Sequence, residues 1–173
     1  MNQNNPIDVL YKEHELISKA EDVILKLNNT WIDHPVQFEA NVDKLLTFFQ
    51  EYADGLHHRK EEEVLFPALM DNPQFTLHEI IREFENHHEE FRSYVGNIQE
   101  AISKKHYEQA YKLLRSYSMD LRDHIAAENE ELFVLAENLL DDSEKEKMFF
   151  LFKDIDMEAG ENHLKKLAEI LNS

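Results

Sequence analysis

The chain has 173 residues, of which 42% are hydrophobic: enough for one folded domain with a sizeable core, and too many for a disordered tail. A formal net charge of −18 argues against nucleic acid or an anionic membrane surface as a partner, because both need clustered lysine and arginine. The absence of cysteine excludes disulfides, zinc fingers, thiolate iron–sulfur sites and thiol catalysis, and three glycines with four prolines favour long helices over a turn-rich β fold.

The start Met1-Asn2-Gln3-Asn4-Asn5 is polar and does not read as a signal peptide. Pro6 suits a first helical turn, and Ile7, Leu10, Ile17, Ile24 and Leu27 recur at helical spacing, which predicts a first helix over about 7–28. Residues 28–35 read as a loop. A second helix is expected from about Val36 to Met70, with Leu45, Leu46, Phe49, Tyr52, Leu56, Leu65 and Leu69 as its apolar stripe and Gly55 inside it. Asp71-Asn72-Pro73 reads as a turn. A third helix over about 75–103 carries Ile80, Ile81, Phe84, Phe91, Val95 and Ile98, and a fourth over about 107–140 carries Leu114, Tyr117, Leu121, Ile125, Leu132 and Phe133. Ser143 is the expected cap of a last segment, with Glu146 completing a capping box and Gly160 a possible interruption. The fold class predicted is all-α: an up-down-up-down four-helix bundle over about 7–140 with a helical extension over about 143–172, forming one domain from 1 to 173. No run is long and apolar enough for a bilayer span, and the expected location is the cytoplasm.

The second and fourth helices share a pattern. His57 to Phe66 can be laid on His124 to Phe133, so that both carry His-x-x-x-Glu followed by Leu-Phe at the same offset. Residues four apart share a helix face, so His57 and Glu61 project together, as do His124 and Glu128. A neutral imidazole and an anionic oxygen in that placement suit iron, manganese or zinc, and a cation offsets the cost of burying the carboxylate. His14 follows Leu10 by one turn and His88 follows Phe84 by one turn, so the first and third helices each bring a histidine to their apolar stripe. The register His58/Glu62 competes with His57/Glu61; the latter is chosen because His57 to Phe66 equals His124 to Phe133 in length. His58 and His87 are read as neighbours of the ligands or exposed residues, and His34 as a loop residue.

The segments Tyr52 to Glu62, Leu65-Phe66-Pro67 and His124 to Asn129, with the runs ending at His14 and beginning at His88, resemble the hemerythrin-like HHE cation-binding family over about residues 7–140. The resemblance implies a non-haem di-iron site, oxo- or hydroxo-bridged, held by His14, His57, Glu61, His88, His124 and Glu128, with manganese or zinc as other possible metals. It implies a small diatomic partner such as oxygen or nitric oxide, and a role in binding or sensing oxygen, nitric oxide or iron in a redox or stress response. The alternative it leaves open is a di-iron enzyme that reduces oxygen, peroxide or nitric oxide, or a protein supporting iron–sulfur cluster repair. Oxygen carriers of the family have a second histidine on the third helix where Arg92 stands, and an aspartate where Asn129 stands, which argues against reversible oxygen carriage. The cysteine-bearing N-terminal segment of some cluster-repair relatives is absent too. The run Glu158 to His163 resembles a C-terminal extension of some members; His163 is read as a helix-surface residue, with an approach to the metal as the alternative. A ferritin-like store needs two Glu-x-x-His motifs and this chain has one good match, Glu85 to His88. The oligomeric state is not readable from the sequence.

Overall fold

The computed structural model describes residues 4–172, and every regular element among the described residues is helical. The first helical stretch is α1 (Pro6–Ser18) followed by α2 (Ala20–Lys26), with Asn5 capping α1 by accepting from the Ile7 amide. The segment expected to be a loop contains a helical turn, α3 (Thr30–Asp33), entered through Asn29 at φ 63°. The second stretch runs from α4 (Pro35–Phe48) through the π-helical π1 (Phe49–His58) and π2 (Glu61–Leu65) into α5 (Phe66–Met70). The third is α6 (His78–Ser103), and the fourth is α7 (Tyr107–Ala127), π3 (Glu128–Leu132) and α8 (Phe133–Leu139). Two further helices follow, α9 (Asp142–Ala159) and α10 (Glu161–Ile170).

The capping box of α9 lies two residues earlier than Ser143/Glu146. Asp141 accepts from the Glu144 amide at 2.8 Å, and the Glu144 carboxylate accepts from the Asp141 amide at 2.8 Å. An aspartate can cap as well as a serine, and here the extended backbone at Asp141 decides which residue does. Gly160 does interrupt the last segment, at φ 89°.

Packing places the first stretch against the fourth (α2 on α7, α1 on α8), the fourth against the third (α7 on α6), the third against the second (α6 on π1) and the second against the first (π1 on α1). The last two helices lie outside: α9 on α1, π1 and π2, and α10 on α4 and π1. The interior divides into two apolar clusters. One holds Ile7, Leu10, Leu65, Phe66, Phe84, Leu132 and Phe133; the other holds Ile17, Leu56, Phe91, Leu121 and Ile125. Where those two sets meet, the four stretches bury polar residues, chiefly Glu13, His14, His57, His58, Lys60, Glu61, His88, His124 and Glu128, so a polar layer lies between two apolar ends.

Candidate metal centre

Each stretch places its polar residues by the same rule: an apolar residue one turn away on either side buries the turn between them. His14 lies between Leu10 and Ile17, His88 between Phe84 and Phe91, and the pair His124 and Glu128 between Leu121 and Leu132. His14, His57, His58, His88, His124, Glu61 and Glu128 are all 3% exposed or less. They fall into two groups whose candidate ligand atoms lie within 4.8 Å of one another: His14, His57, Glu61 and Glu128 in one, and His58, His88 and His124 in the other. The six residues named from sequence are thus brought together.

His58 was missed as a member of this layer. It is as buried as His57, and its ring stacks on that of His88 with centroids 3.7 Å apart. His57 and His58 therefore do not compete for one register; His57 faces His14 and His58 faces His88. The carboxylates do separate, since Glu61 is fully buried in the layer while Glu62 points out to Arg92. The signal available was the adjacency of two histidines on a helix with neighbours on both sides.

Every one of the five rings has a partner at Nδ1. His14 Nδ1 is 2.7 Å from Asn129 Oδ1, His57 Nδ1 3.1 Å from Glu13 Oε1, His58 Nδ1 3.1 Å from Asp54 Oδ1, and His88 Nδ1 3.3 Å from Glu62 Oε1. His124 Nδ1 is 3.0 Å from the Nδ1 of half-buried His87. Four of these partners are oxygens that accept only, so those rings carry their proton on Nδ1 and present a bare Nε2. Two bare atoms meet, His57 Nε2 lying 2.9 Å from His14 Nε2, and the bare His88 Nε2 lies 3.2 Å from His124 Nε2.

Glu61 and Glu128 lie between the two groups. Glu61 Oε1 is 3.3 Å from His57 Nε2 and 3.6 Å from His88 Nε2; Glu128 Oε1 is 2.7 Å from His124 Nε2 and 3.6 Å from His14 Nε2. All four of their oxygens are buried without a hydrogen-bond donor of acceptable geometry. Burial and the Glu128 carboxylate beside it push Glu61 well above the usual carboxylate range. Burial acts on Glu128 too, but the charge of His124 and the contacts with Glu61, His124 and His14 together outweigh it and hold that carboxyl low. Burial likewise holds His57 and His58 well below the ordinary imidazole value, and His88 below it against the pull of Glu62.

The donor set is rich in lone pairs and poor in protons. Left as it stands, each unpartnered carboxylate costs about 1–3 kcal/mol or more, and facing Nε2 lone pairs repel. A cation shared by these groups removes both costs, so the residues fit one or two transition-metal ions of the kind imidazole and carboxylate prefer. The carboxylate partners at Nδ1 are the arrangement that fixes the tautomer of a ligating histidine.

Two other histidines lie at the surface away from the layer. His34 is exposed ahead of α4, and His163 is on the surface, with Nε2 3.0 Å from Glu51 Oε2. Glu158 pairs with Arg59 at 2.6 Å.

No curated protein matches the chain. Residues 5–136 match the family described as the hemerythrin HHE cation binding domain.

Proposed function

The chain belongs to the hemerythrin HHE cation-binding domain family, and from that premise we propose that its buried layer holds two iron ions and that the protein binds or senses oxygen, nitric oxide or iron in a redox or stress response. The observation that carries this reading is the set of four donorless carboxylate oxygens of Glu61 and Glu128 between two groups of histidine Nε2 atoms. In this reading His14 and His57 would hold one ion and His58, His88 and His124 the other, with Glu61 and Glu128 as the carboxylates between the two groups. Iron so held would supply one-electron redox chemistry and an open position for a small ligand.

What the chain's own residues do follows from their placement. The Nδ1 partners orient the rings, and the two apolar clusters above and below exclude bulk water. A cavity of about 130 Å³ lined by His58, Phe91, Arg92 and Tyr117 has room for a small molecule such as a diatomic, and a wider cleft of about 450 Å³ lined by His87 and His124 also borders the layer. The cyclic packing of the four helical stretches supports an up-down-up-down bundle acting as one domain with α9 and α10 on its outside.

Metal content measured on protein purified without added metal, together with its visible spectrum, tests the proposal. About two irons per chain are expected, with ferric absorption lost in a His57→Ala/His124→Ala double variant. Less than about a tenth of a metal per chain after anaerobic iron loading sinks it.

A further inference from the structure

We propose that Arg92 is a positioning residue for the metal centre, gripping Asp54 and Glu62 at once so that His58 and His88 keep their Nε2 atoms turned to the cation. The inference rests on reading the buried layer as a metal centre.

Arg92 stands on α6 one turn after His88, at the mouth of the layer with about a third of its side chain exposed. Its Nε donates to Asp54 Oδ1 at 2.9 Å and Oδ2 at 3.0 Å. Its Nη2 donates to Glu62 Oε1 at 3.0 Å and Oε2 at 2.8 Å and also lies 2.9 Å from Asp54 Oδ1, while Nη1 reaches Glu89. The two gripped carboxylates each accept one more hydrogen bond, from a buried imidazole: His58 Nδ1 on Asp54, His88 Nδ1 on Glu62. One guanidinium on the third helical stretch thus fixes two carboxylates on the second, and through them a histidine on each.

Charge makes the arrangement depend on Arg92. Asp54 and Glu62 are two partly exposed carboxylates, and the Arg92 guanidinium is the cation that both of them contact. Without the guanidinium the two carboxylates face each other uncompensated, and both have a solvent side to turn toward. The imidazoles would then lose the acceptors that fix their tautomer. A lysine carries the charge but not the planar fork that serves two carboxylates at once.

The test is a cobalt(II) titration of wild type, Arg92→Ala and Arg92→Lys, read by affinity and by the visible bands of the bound ion, with the thermal midpoint of each metal-free protein measured alongside. Arg92→Ala is expected to lose about 10–100-fold in affinity and to shift the visible bands, and Arg92→Lys to recover only part of both. Adding Asp54→Asn and Glu62→Gln to Arg92→Ala is expected to cost little more, since all three act through the same two rings. A lower thermal midpoint with unchanged affinity and bands makes Arg92 a plain helix-to-helix clip and overturns the proposal. If Arg92→Ala does not fold, Glu62→Gln alone, which keeps the guanidinium, is expected to shift the bands, and unchanged bands overturn it. Wild-type protein that takes up no cobalt removes the metal-centre reading itself, and the proposal with it.

Discussion

Adjacent residues on a helix point roughly a quarter turn apart, and at His57 and His58 that angle spans the arc between two neighbouring helices. His57 meets His14, His58 meets His88, and both contribute to the layer. His58→Ala is therefore expected to lower metal uptake from about two ions per chain toward one, measured by mass spectrometry after loading; an unchanged content places His58 outside the ligand set. Lys60 is the other residue whose weight emerges from contacts. Its ammonium is fully buried 2.5 Å from Glu13 Oε2 and 2.7 Å from Asp156 Oδ1, with the Phe152 ring 5.7 Å away. Glu13 in turn holds His57, and burial pushes its carboxyl up against the pull of Lys60. Lys60→Met leaves Glu13 buried without its cation and is expected to cost about 3–5 kcal/mol of stability by urea unfolding. A second change, Glu13→Gln, should restore part of that loss, and no restoration would mean that the charge of Glu13 is not what Lys60 balances.

At the scale of elements, the His-x-x-x-Glu motifs occur where the helices widen. Glu61 opens π2 and Glu128 opens π3, while His57 and His58 close π1. π turns arise often at functional sites because the wider turn re-aims side chains. At Gly55, inside π1, an added Cβ would lie 3.1 Å from the Gln50 carbonyl oxygen, so the glycine fits the close approach made there. The break between α9 and α10 depends on Gly160, whose φ of 89° is strained for any residue with a Cβ. Gly160→Ala is expected to cost about 1–2 kcal/mol in thermal or urea unfolding, although open space surrounds the position. A neutral result would mean that the α9–α10 junction relaxes to negative φ without loss.

For the molecule as a whole, the buried imidazoles tie stability to pH in the metal-free protein. Burial keeps His57, His58 and His88 below the ordinary value of 6.5 in the folded state. Below that value the unfolded chain binds more protons than the folded one, so folding stability is lost as pH falls from about 6.5 toward the depressed folded values, and is unaffected by these groups above it. Glu61 and Glu13 work in the opposite sense, since their raised values make the folded state the better proton binder, while Glu128, Asp54 and Glu62, held low, add to the loss further into acid. Urea unfolding of metal-free protein is expected to give lower stability at about pH 5.5 than at about pH 7.5, and a flat or rising trend would contradict the neutral state assigned to these rings. Saturating metal should raise the unfolding midpoint, and the gain should shrink in acid because the ligands must shed protons to bind. Among the described residues no helix is long and apolar enough to cross a membrane.

The sequence by itself determined the helical class, the four long stretches and the convergence of His14, His57, Glu61, His88, His124 and Glu128, because apolar spacing of three and four residues both makes a helix and names its buried face. The repeated His-x-x-x-Glu with its Leu-Phe sequel added that two helices meet the same environment. Tertiary structure alone decided what depends on an angle between helices or on a distant partner. It brought His58 inward, because only packing shows that the second stretch has neighbours on two sides. It turned Glu62 to Arg92 while Glu61 stayed in the layer, a choice between adjacent residues that differ by roughly a quarter turn of rotation. It brought Asp156 to Lys60 across 96 positions of sequence, a contact no local pattern encodes, and it moved the cap of α9 to Asp141, where the chain's path out of α8 sets the backbone angles.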